Sequence, residues 1–206
     1  MFIEPKQQSI QDTYKLLIGA VVPRPIAFIT TQNESGLVNA APFSFFNVLC
    51  SDPALIGVSI ARKDNGDRKD TAANIVTSKA FVVHIVDETN IQLVNQTAID
   101  FPKDYSEVKE FGLTLKESHT IAVPGVKEAK IRLECTLHQL IPLGKGPTNE
   151  LFIGEVIGID IDDALYDHGK IPEQVLQPIG RLAGTSYTKL GETFSIPRPI
   201  FNADKR

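Results

Sequence analysis

Alternating apolar and polar positions along the chain predict a protein built mainly from antiparallel β-strands. The two longest strand signals, residues 129–143 and 151–161, place Leu133, Cys135 and Leu137 on one face and polar side chains on the other. Shorter apolar runs predict further strands at residues 26–31, 37–41, 54–60 and 80–86. Turn residues at 33–36 and 144–149 predict two hairpin connections.

A few helices interrupt these strands. Residues 9–19 carry apolar side chains at helical spacing, and Gly19 is the expected stop. A second helix is predicted at 67–79, with Asp67 or Asp70 as its N-cap, and a third at 87–98. The polar segment 101–115 is irregular apart from a helical turn at 107–111, and a tail rich in proline and glycine begins at Pro172.

The order of these elements indicates an antiparallel barrel with flanking helices, in a single domain that spans residues 1–206. Strands occur singly and in hairpins, without the regular strand–helix–strand alternation of a doubly wound sheet. The G-x-G-x-x-G pattern of a dinucleotide-binding Rossmann domain is absent. Neither an internal repeat nor an interdomain linker interrupts the chain.

Composition and charge argue against several classes of binding partner. The 206 residues have a net charge of −4, which argues against nucleic-acid binding and requires any anion site to be local. No segment approaches the ~20 apolar residues of a membrane span, and no signal peptide is visible, so we expect a cytoplasmic protein. The two cysteines, Cys50 and Cys135, are expected to be buried thiols in a reducing compartment.

Residues 39–71 contain the most informative chemistry. A basic corner near its end combines hydroxyl, guanidinium and ammonium groups with a helix start, which is the inventory that a phosphate monoester requires. Its members are Ser59, Arg62, Arg68, Lys69 and Thr71. The alternative is an ordinary solvated loop, since Asp64, Asp67 and Asp70 offset much of the positive charge.

The start of the same stretch is expected to border a flat ring. Residues 39–42, Asn-Ala-Ala-Pro, predict a small-residue turn that allows close backbone approach. Backbone amides, Ser44 and Asn47 are then suited to hydrogen-bond a pyrimidine-like edge, with Phe45 beside the ring. The alternative places the phenylalanines in the barrel core and the hydroxyl groups in turn caps.

Nucleophilic and metal-dependent catalysis are not expected. None of the four histidines has a metal-binding spacing, and no serine or cysteine lies in a nucleophile elbow. His84, in the apolar segment 80–86, is expected to be a hydrogen-bonded core residue. The acidic segment 159–164 lacks the glycine and the final glutamate of a calcium loop.

Taken together, these segments resemble the flavin reductase-like, FMN-binding split-barrel family over residues 22–187. The resemblance rests on residues 23–25 (Pro-Arg-Pro), 39–47 (Asn-Ala-Ala-Pro-Phe-Ser-Phe-Phe-Asn), 52–53 (Asp-Pro), 68–71 (Arg-Lys-Asp-Thr) and Asn74. Two departures are visible: Ala54 replaces a second proline that family members often show, and Cys50 stands where many have a small hydroxyl residue.

The resemblance implies an antiparallel split β-barrel of Greek-key type that forms a homodimer and holds FMN near the dimer interface. It assigns the isoalloxazine ring to Ser44, Phe45 and the preceding backbone, including Asn39 and Ala41, and the phosphate to the basic corner. Tyr187 and Arg198 are expected to cover the site, from the partner subunit.

The activity that the resemblance implies is transfer of reducing equivalents from NAD(P)H through FMN to a flavin or another small acceptor. This chemistry requires no general base, so no catalytic side chain is assigned. Two alternatives stay open: an electron carrier that a partner protein reduces without direct use of NAD(P)H, and a barrel that has lost its cofactor and serves as an interaction module.

Overall fold

The computed structural model describes residues 1–102, 105–146 and 148–201. It contains five α-helices within these ranges: α1 Ile10–Ala20, α2 Asp70–Ser78, α3 Ile91–Gln96, α4 Glu107–Glu110 and α5 Glu173–Leu176. The strands of the main sheet are β1 Ala27–Gln32, β2 Val38–Phe43, β3 Phe46–Ser51, β4 Ala54–Ala61, β5 Ala80–Ile85, β8 Ile131–Leu143 and β9 Asn149–Ile161. Two small ribbons pair β6 Leu115–Lys116 with β7 Gly125–Val126, and β10 Ile179–Arg181 with β11 Tyr187–Lys189.

The main sheet has seven antiparallel strands in the order β2-β1-β5-β8-β9-β4-β3. Its two edge strands, β2 and β3, are joined by a turn at Ser44 and Phe45, and the backbone N–H of Ser59 in β4 donates to the carbonyl of Phe45 in this turn. The long hairpin β8–β9, which the alternation predicted, lies near the centre of this order. The predicted mainly antiparallel β architecture is therefore confirmed.

Alternation along β1 separates two apolar clusters. Ala27 and Ile29 face an interior cluster that also takes residues from β4, β5, β8 and β9, so the curled sheet encloses it. Helix α2 completes this cluster with Ala72 and Ile75. Phe28 faces the opposite side, where α3 and α4 contribute Val94 and Val108 to a second cluster.

Several predicted boundaries are wrong for local reasons. Helix α1 continues through Gly19 to Ala20, and Ser9 is its N-cap, because the Ser9 hydroxyl accepts from the N–H of Asp12. The predicted N-cap of α2 at Asp67 or Asp70 is also wrong. Asp67 pairs with Asn65 within the preceding turn, Asp70 is the first helical residue, and Lys69 takes the N-cap position. The third helix begins only at Ile91, because the Asp87 carboxylate binds the N–H groups of Thr89 and Asn90 in a turn.

The predictions that differ most from the structure concern the segment 39–51. Residues 39–42 form part of β2 instead of a turn, and the turn lies at Ser44 and Phe45. Strand β3 was not predicted, and its side chains from Asn47 onward are exposed at the sheet edge.

Cys50 is exposed on this strand, which contradicts its predicted burial, whereas Cys135 is buried. Burial raises the pKa of the Cys135 thiol, so this thiol stays protonated at neutral pH. Of the predicted hairpin loop 144–149, Pro147 lies outside the described residues, as do Lys103 and Asp104 of the polar segment.

His84 is a fully buried core residue, in agreement with its sequence context. Its Nδ1 lies 2.8 Å from the carbonyl oxygen of Phe28, and its Nε2 accepts from the N–H of Val126 at 3.0 Å. Burial lowers the pKa of His84 from 6.5 to about 4, and the nearby Arg132 contributes in the same direction. A neutral ring satisfies both contacts, whereas a protonated ring would set two donors, Nε2–H and the Val126 N–H, against each other.

We therefore expect acid to destabilise the fold through His84. Between pH 6.5 and about pH 4 the unfolded chain binds a proton at this residue that the folded chain does not, so stability falls as the pH falls. The loss amounts to about 3 kcal/mol of unfolding free energy. Urea denaturation of the wild type and of His84→Gln between pH 7.5 and 4 checks this. The variant should lose that part of the pH dependence, whereas His168→Gln, at an exposed position, should keep it.

Candidate functional site

The N-terminus of α2 is accessible to a ligand from solvent. Lys69 takes an extended N-cap conformation, and no side chain caps the helix. The first backbone hydrogen bond of the helix runs from the N–H of Ala73 to the carbonyl of Lys69. Among the described residues, the N–H groups of Asp70, Thr71 and Ala72 form no hydrogen bond. These groups and the helix dipole favour an anion at this position.

Strand β2 holds this helix end in place. The Asn39 side chain donates from Nδ2 to the Thr71 hydroxyl oxygen at 2.8 Å, and both residues are buried. Because Thr71 accepts this bond, its own hydroxyl hydrogen remains available to a ligand. One turn further on, Asn74 donates to the Thr31 hydroxyl in β1 at 3.0 Å.

A cavity of about 90 Å³ opens at this helix end, and we call it the α2 cavity. Its walls come from β2, the loop before α2, the segment after α3, and α4. They include Asn39, Ala41, Pro42, Phe43, Lys63, Lys69, Asp70, Thr71, Asp100, Phe101 and Glu107. Lys63 Nζ lies 3.4 Å from Asp70 Oδ1, and Lys69 Nζ lies 3.3 Å from Asp100 Oδ1.

A second cavity of about 220 Å³, here the α3 cavity, adjoins the first and shares Pro42, Phe43 and Ala98 with it. Its other walls include Tyr14, Ile18, Arg24, Ser44, Ile91, Asn95, Arg181 and Tyr187. The guanidinium carbon of Arg181 lies 4.4 Å from the centroid of the Tyr187 ring, and the Tyr187 hydroxyl donates to Asn95 at 2.7 Å. A chamber with both polar and apolar walls, bordered by aromatic and guanidinium groups, therefore adjoins the α2 cavity.

Arg24 is a buried part of this wall. Its Nη1 donates to the carbonyls of Ile18 and Val21 at the end of α1, and its Nη2 donates to the carbonyl of Leu182. Arg24 thereby joins α1 to the C-terminal ribbon across the α3 cavity.

The arginines of the predicted basic corner are held by a carboxylate. Glu150 in β9, 2% exposed, accepts from Arg62 Nη2 at 2.9 Å and from Arg68 Nε and Nη2 at 2.9 and 2.7 Å. The hydrogen bond from Arg68 is the largest cause that lowers the pKa of Glu150, so this carboxylate stays ionised. Arg62 Nε is buried and has no hydrogen-bond partner among the described residues.

The cavity walls include six of the eleven predicted cofactor-binding residues: Asn39, Ala41, Ser44, Lys69, Thr71 and Tyr187. The other five lie outside these walls. Arg62 and Arg68 bind Glu150, and Ser59 accepts from the Asn149 side chain at 3.3 Å. Phe45 lies in the exposed β2–β3 turn, 6.5 Å from the Tyr14 ring by centroids, and the Asn47 side chain accepts from the next backbone N–H.

Sequence reasoning missed several wall residues. Arg24 had a signal in the Pro-Arg-Pro segment, but it was assigned no role. Asn95, Glu107 and Arg181 come from elements far apart in sequence, and no local pattern marks them. Among the described residues, no group of three or more histidine, cysteine, aspartate or glutamate side chains is suited to hold a metal ion. No described helix has the length and apolar character needed to cross a membrane.

Comparison with known proteins identifies the family. The model of the flavin reductase like domain matches residues 18–173. The chain belongs to the flavin reductase-like family. Two solved structures are similar along nearly the whole chain, and a third extends the likeness of the fold.

Nitrilotriacetate monooxygenase component B from Bacillus cereus is 46% identical, with a TM-score of 0.93, and the match covers 95% of this chain and 98% of that one. The 2-nitrobenzoate 2-nitroreductase NbaA of Pseudomonas fluorescens is 32% identical over 100% of both chains, with a TM-score of 0.88. A split barrel domain protein from Shewanella frigidimarina is 22% identical, with a TM-score of 0.83, over 97% of this chain and 100% of that one. The predicted family and the split-barrel fold are confirmed, and the family indicates a flavin-dependent oxidoreductase.

The Glu150 cluster gives a prediction about the basic corner of this flavin reductase-like protein. Glu150→Ala leaves two guanidinium groups without the carboxylate that accepts their three hydrogen bonds. We expect the unfolding free energy to fall by about 2 kcal/mol, measured by urea denaturation at pH 7. Glu155→Ala, at a half-exposed position of the same strand, should change stability little. An equal effect of both substitutions would show that the cluster does not stabilise the fold.

Proposed function

We propose that this protein is an FMN-dependent oxidoreductase that takes reducing equivalents from NAD(P)H and passes them to a flavin or another small acceptor. The observation that carries the proposal is the uncapped N-terminus of α2, which opens with Lys69 and Thr71 onto a cavity that adjoins the larger α3 cavity. This pair of cavities supplies a phosphate-sized anion site at one end and, at the other, a chamber with aromatic, aliphatic and polar walls.

The residues of the α2 cavity fit the phosphate of FMN. Three unpartnered backbone N–H groups, the Thr71 hydroxyl hydrogen and the Lys69 ammonium group converge on this end of the helix. Lys69 is available, because its partner Asp100 is 85% exposed and such surface ion pairs contribute little. Arg62 and Arg68 would support the phosphate as a positive second layer, since Glu150 neutralises only one of their two charges.

The α3 cavity fits the isoalloxazine ring. Pro42 and Phe43 connect it to the α2 cavity, and Ser44 offers a hydroxyl and backbone groups beside them. When bound, FMN supplies the hydride and electron chemistry of the reaction. The side chains of this chain bind and orient the ring and limit its contact with water, and no described residue is required as a general base.

The similar proteins support the class of activity. Nitrilotriacetate monooxygenase component B and the nitroreductase NbaA bear redox activities in their names and share 46% and 32% of their residues with this chain. We extend to this chain the redox class that these names share.

A homodimer is part of the proposal, with residues 1–206 forming one domain in each subunit. Val48 on the edge strand β3 is 70% exposed, and Leu49 beside it and Ile10 and Leu17 on α1 are exposed as well. Exposed apolar side chains of this kind favour burial against another subunit. Phe45 and Tyr14 lie between β3 and the α3 cavity, so a partner on this face would sit beside the proposed ring site. Arg198 lies in the exposed C-terminal tail, and we keep its role over the site as part of this proposal.

The proposed activity is tested by mixing the FMN-loaded protein with NADH or NADPH in a stopped-flow spectrometer without oxygen. Oxidised flavins absorb at about 450 nm. We expect this absorbance to bleach at a rate that saturates with nicotinamide concentration. Dithionite serves as a positive control for reducibility. A protein that dithionite bleaches but neither nicotinamide reduces would be an electron carrier, which is the alternative reading.

The phosphate assignment gives a separate prediction. Lys69→Ala removes a charge-assisted contact, so we expect the affinity for FMN to fall about tenfold, while the affinity for riboflavin, which has no phosphate, stays the same. Fluorescence titration measures both. Lys109→Ala, at an exposed position on α4, is the matched control and should bind FMN like the wild type. Equal losses for FMN and riboflavin, or none for either, would move the phosphate away from the α2 cavity.

A further inference from the structure

The α2 cavity carries more negative than positive charge before any ligand enters. Its walls contain two ammonium groups, Lys63 and Lys69, and three carboxylates, Asp70, Asp100 and Glu107. Both lysines already lie beside a carboxylate, at 3.4 and 3.3 Å. A phosphate monoester brings close to two further negative charges at neutral pH. The helix N-terminus offsets about half a charge of this excess.

Glu107 differs from the other two carboxylates of the cavity. It is 6% exposed, and its Oε2 accepts from the N–H of Ala40 in β2 at 3.0 Å. Among the described residues, no lysine, arginine or histidine forms an ion pair with it, whereas Asp70 and Asp100 each have a lysine partner. Glu107 is therefore the buried carboxylate whose charge is least compensated.

We propose that binding of the FMN phosphate in the α2 cavity is coupled to uptake of one proton from solvent by the Glu107 carboxylate. The inference rests on the proposed function, because it takes the phosphate to be the ligand of this cavity. The proton converts the carboxylate to a neutral carboxylic acid and removes one negative charge from the cavity. The cofactor affinity then depends on pH through a group that sequence reasoning did not assign to the site.

Electrostatics in the ligand-free chain already shift the titration of Glu107 in the direction of the neutral form. Burial raises the pKa of Glu107 above its usual value, and the charge of Asp70 adds to this effect, although the N–H of Ala40 opposes it. A phosphate beside the same wall acts in the same direction as Asp70. Charged groups that face Glu107 from the surrounding elements are Lys63 and Lys69 before α2, Asp70 in α2 and Asp100 after α3. Within α4 itself, Lys109 and Glu110 are exposed.

The sign of the pH dependence follows from linkage. If the pKa of Glu107 is higher in the complex than in the free protein, binding takes up a proton between these two pKa values. The affinity for FMN then falls as the pH rises through this range, by at most about tenfold per pH unit. Riboflavin carries no phosphate, and its affinity should lack this dependence.

Calorimetric titration of the full chain with FMN tests the proposal directly. At one pH, repeating the titration in two buffers of different ionisation enthalpy gives the number of protons taken up. A series from pH 6.5 to 8.5 covers the range in which the phosphate itself is mostly a dianion. We expect wild-type protein to take up a proton in part of this range, with a Kd that rises several-fold across it. Glu107→Gln, which keeps the size of the side chain and an acceptor for Ala40, should take up none and bind FMN with a flat pH profile.

Glu110→Gln, on the exposed side of the same helix, is the matched control and should behave like the wild type. Proton uptake that persists unchanged in Glu107→Gln, or equal uptake with riboflavin, would overturn the proposal while leaving FMN binding intact. Binding of FMN to the wild type without proton uptake at any pH in the series would also overturn the proposal. Absence of FMN binding in the wild type at every pH would instead refute the proposed function and the inference with it. If the Gln variant does not fold, the comparison of FMN with riboflavin on wild-type protein still tests the coupling, because wild-type protein that takes up no proton with FMN, or as many with riboflavin, overturns the proposal.

Discussion

The hydrogen bond between Asn39 and Thr71 fixes the start of α2 against the edge strand β2, and both cavities depend on this placement. The bond is 2.8 Å long and joins two residues that are only 8% and 2% exposed, so its loss would remove a well-protected contact between the helix and the strand. Ala72 and Ile75 hold the next turn of the helix in the interior cluster of the barrel. As a result, the helix N-terminus cannot move away from β2 without opening the core, and its free N–H groups stay directed away from the core.

The outer edge of β2 is protected by the segment that carries Glu107. Ser106 donates to the carbonyl of Val38, and Glu107 accepts from the N–H of Ala40, so every second residue of the strand has a partner on that side. The next residue in this series is Pro42, which has no N–H to leave unpaired. The proline that suggested a turn in the sequence is therefore compatible with an edge strand, and it lies where the two cavities meet.

The sequence predicted the fold better than the details of the site because the core has a strong period and the site does not. Strands β8 and β9 are 13 residues long and alternate between apolar and polar side chains over part of their length, and Ser9 before α1 is a recognisable N-cap. Strand β3 has no such signal, since its side chains are exposed and only its backbone pairs with β4. Lys69 as an N-cap was equally unforeseeable, because a lysine provides no acceptor for the helix N–H groups, and the proposed site depends on that missing cap.

The basic corner shows why a count of charges along the chain is a poor guide to a binding site. Arg62, Arg68 and Lys69 are close in sequence, yet Glu150, more than 80 residues away, binds both arginines through β9, which pairs with β4. The lysine alone faces the cavity wall, with a partner that is mostly in solvent. The arginines therefore contribute a positive field from a rigid position, and the lysine contributes a mobile charge that can change partners.

This division also explains why an acidic residue belongs in a site for an anion. With Arg62 and Arg68 neutralised in part by Glu150 and the cavity lysines already paired, the proposed site binds a phosphate better if it sheds negative charge when the ligand arrives. Glu107 is placed to do so, because its contact with Ala40 needs an acceptor oxygen but does not need a charge. A protonated carboxylic acid keeps that oxygen, so the edge of β2 stays covered in both protonation states and the barrel does not have to rearrange when the cofactor binds.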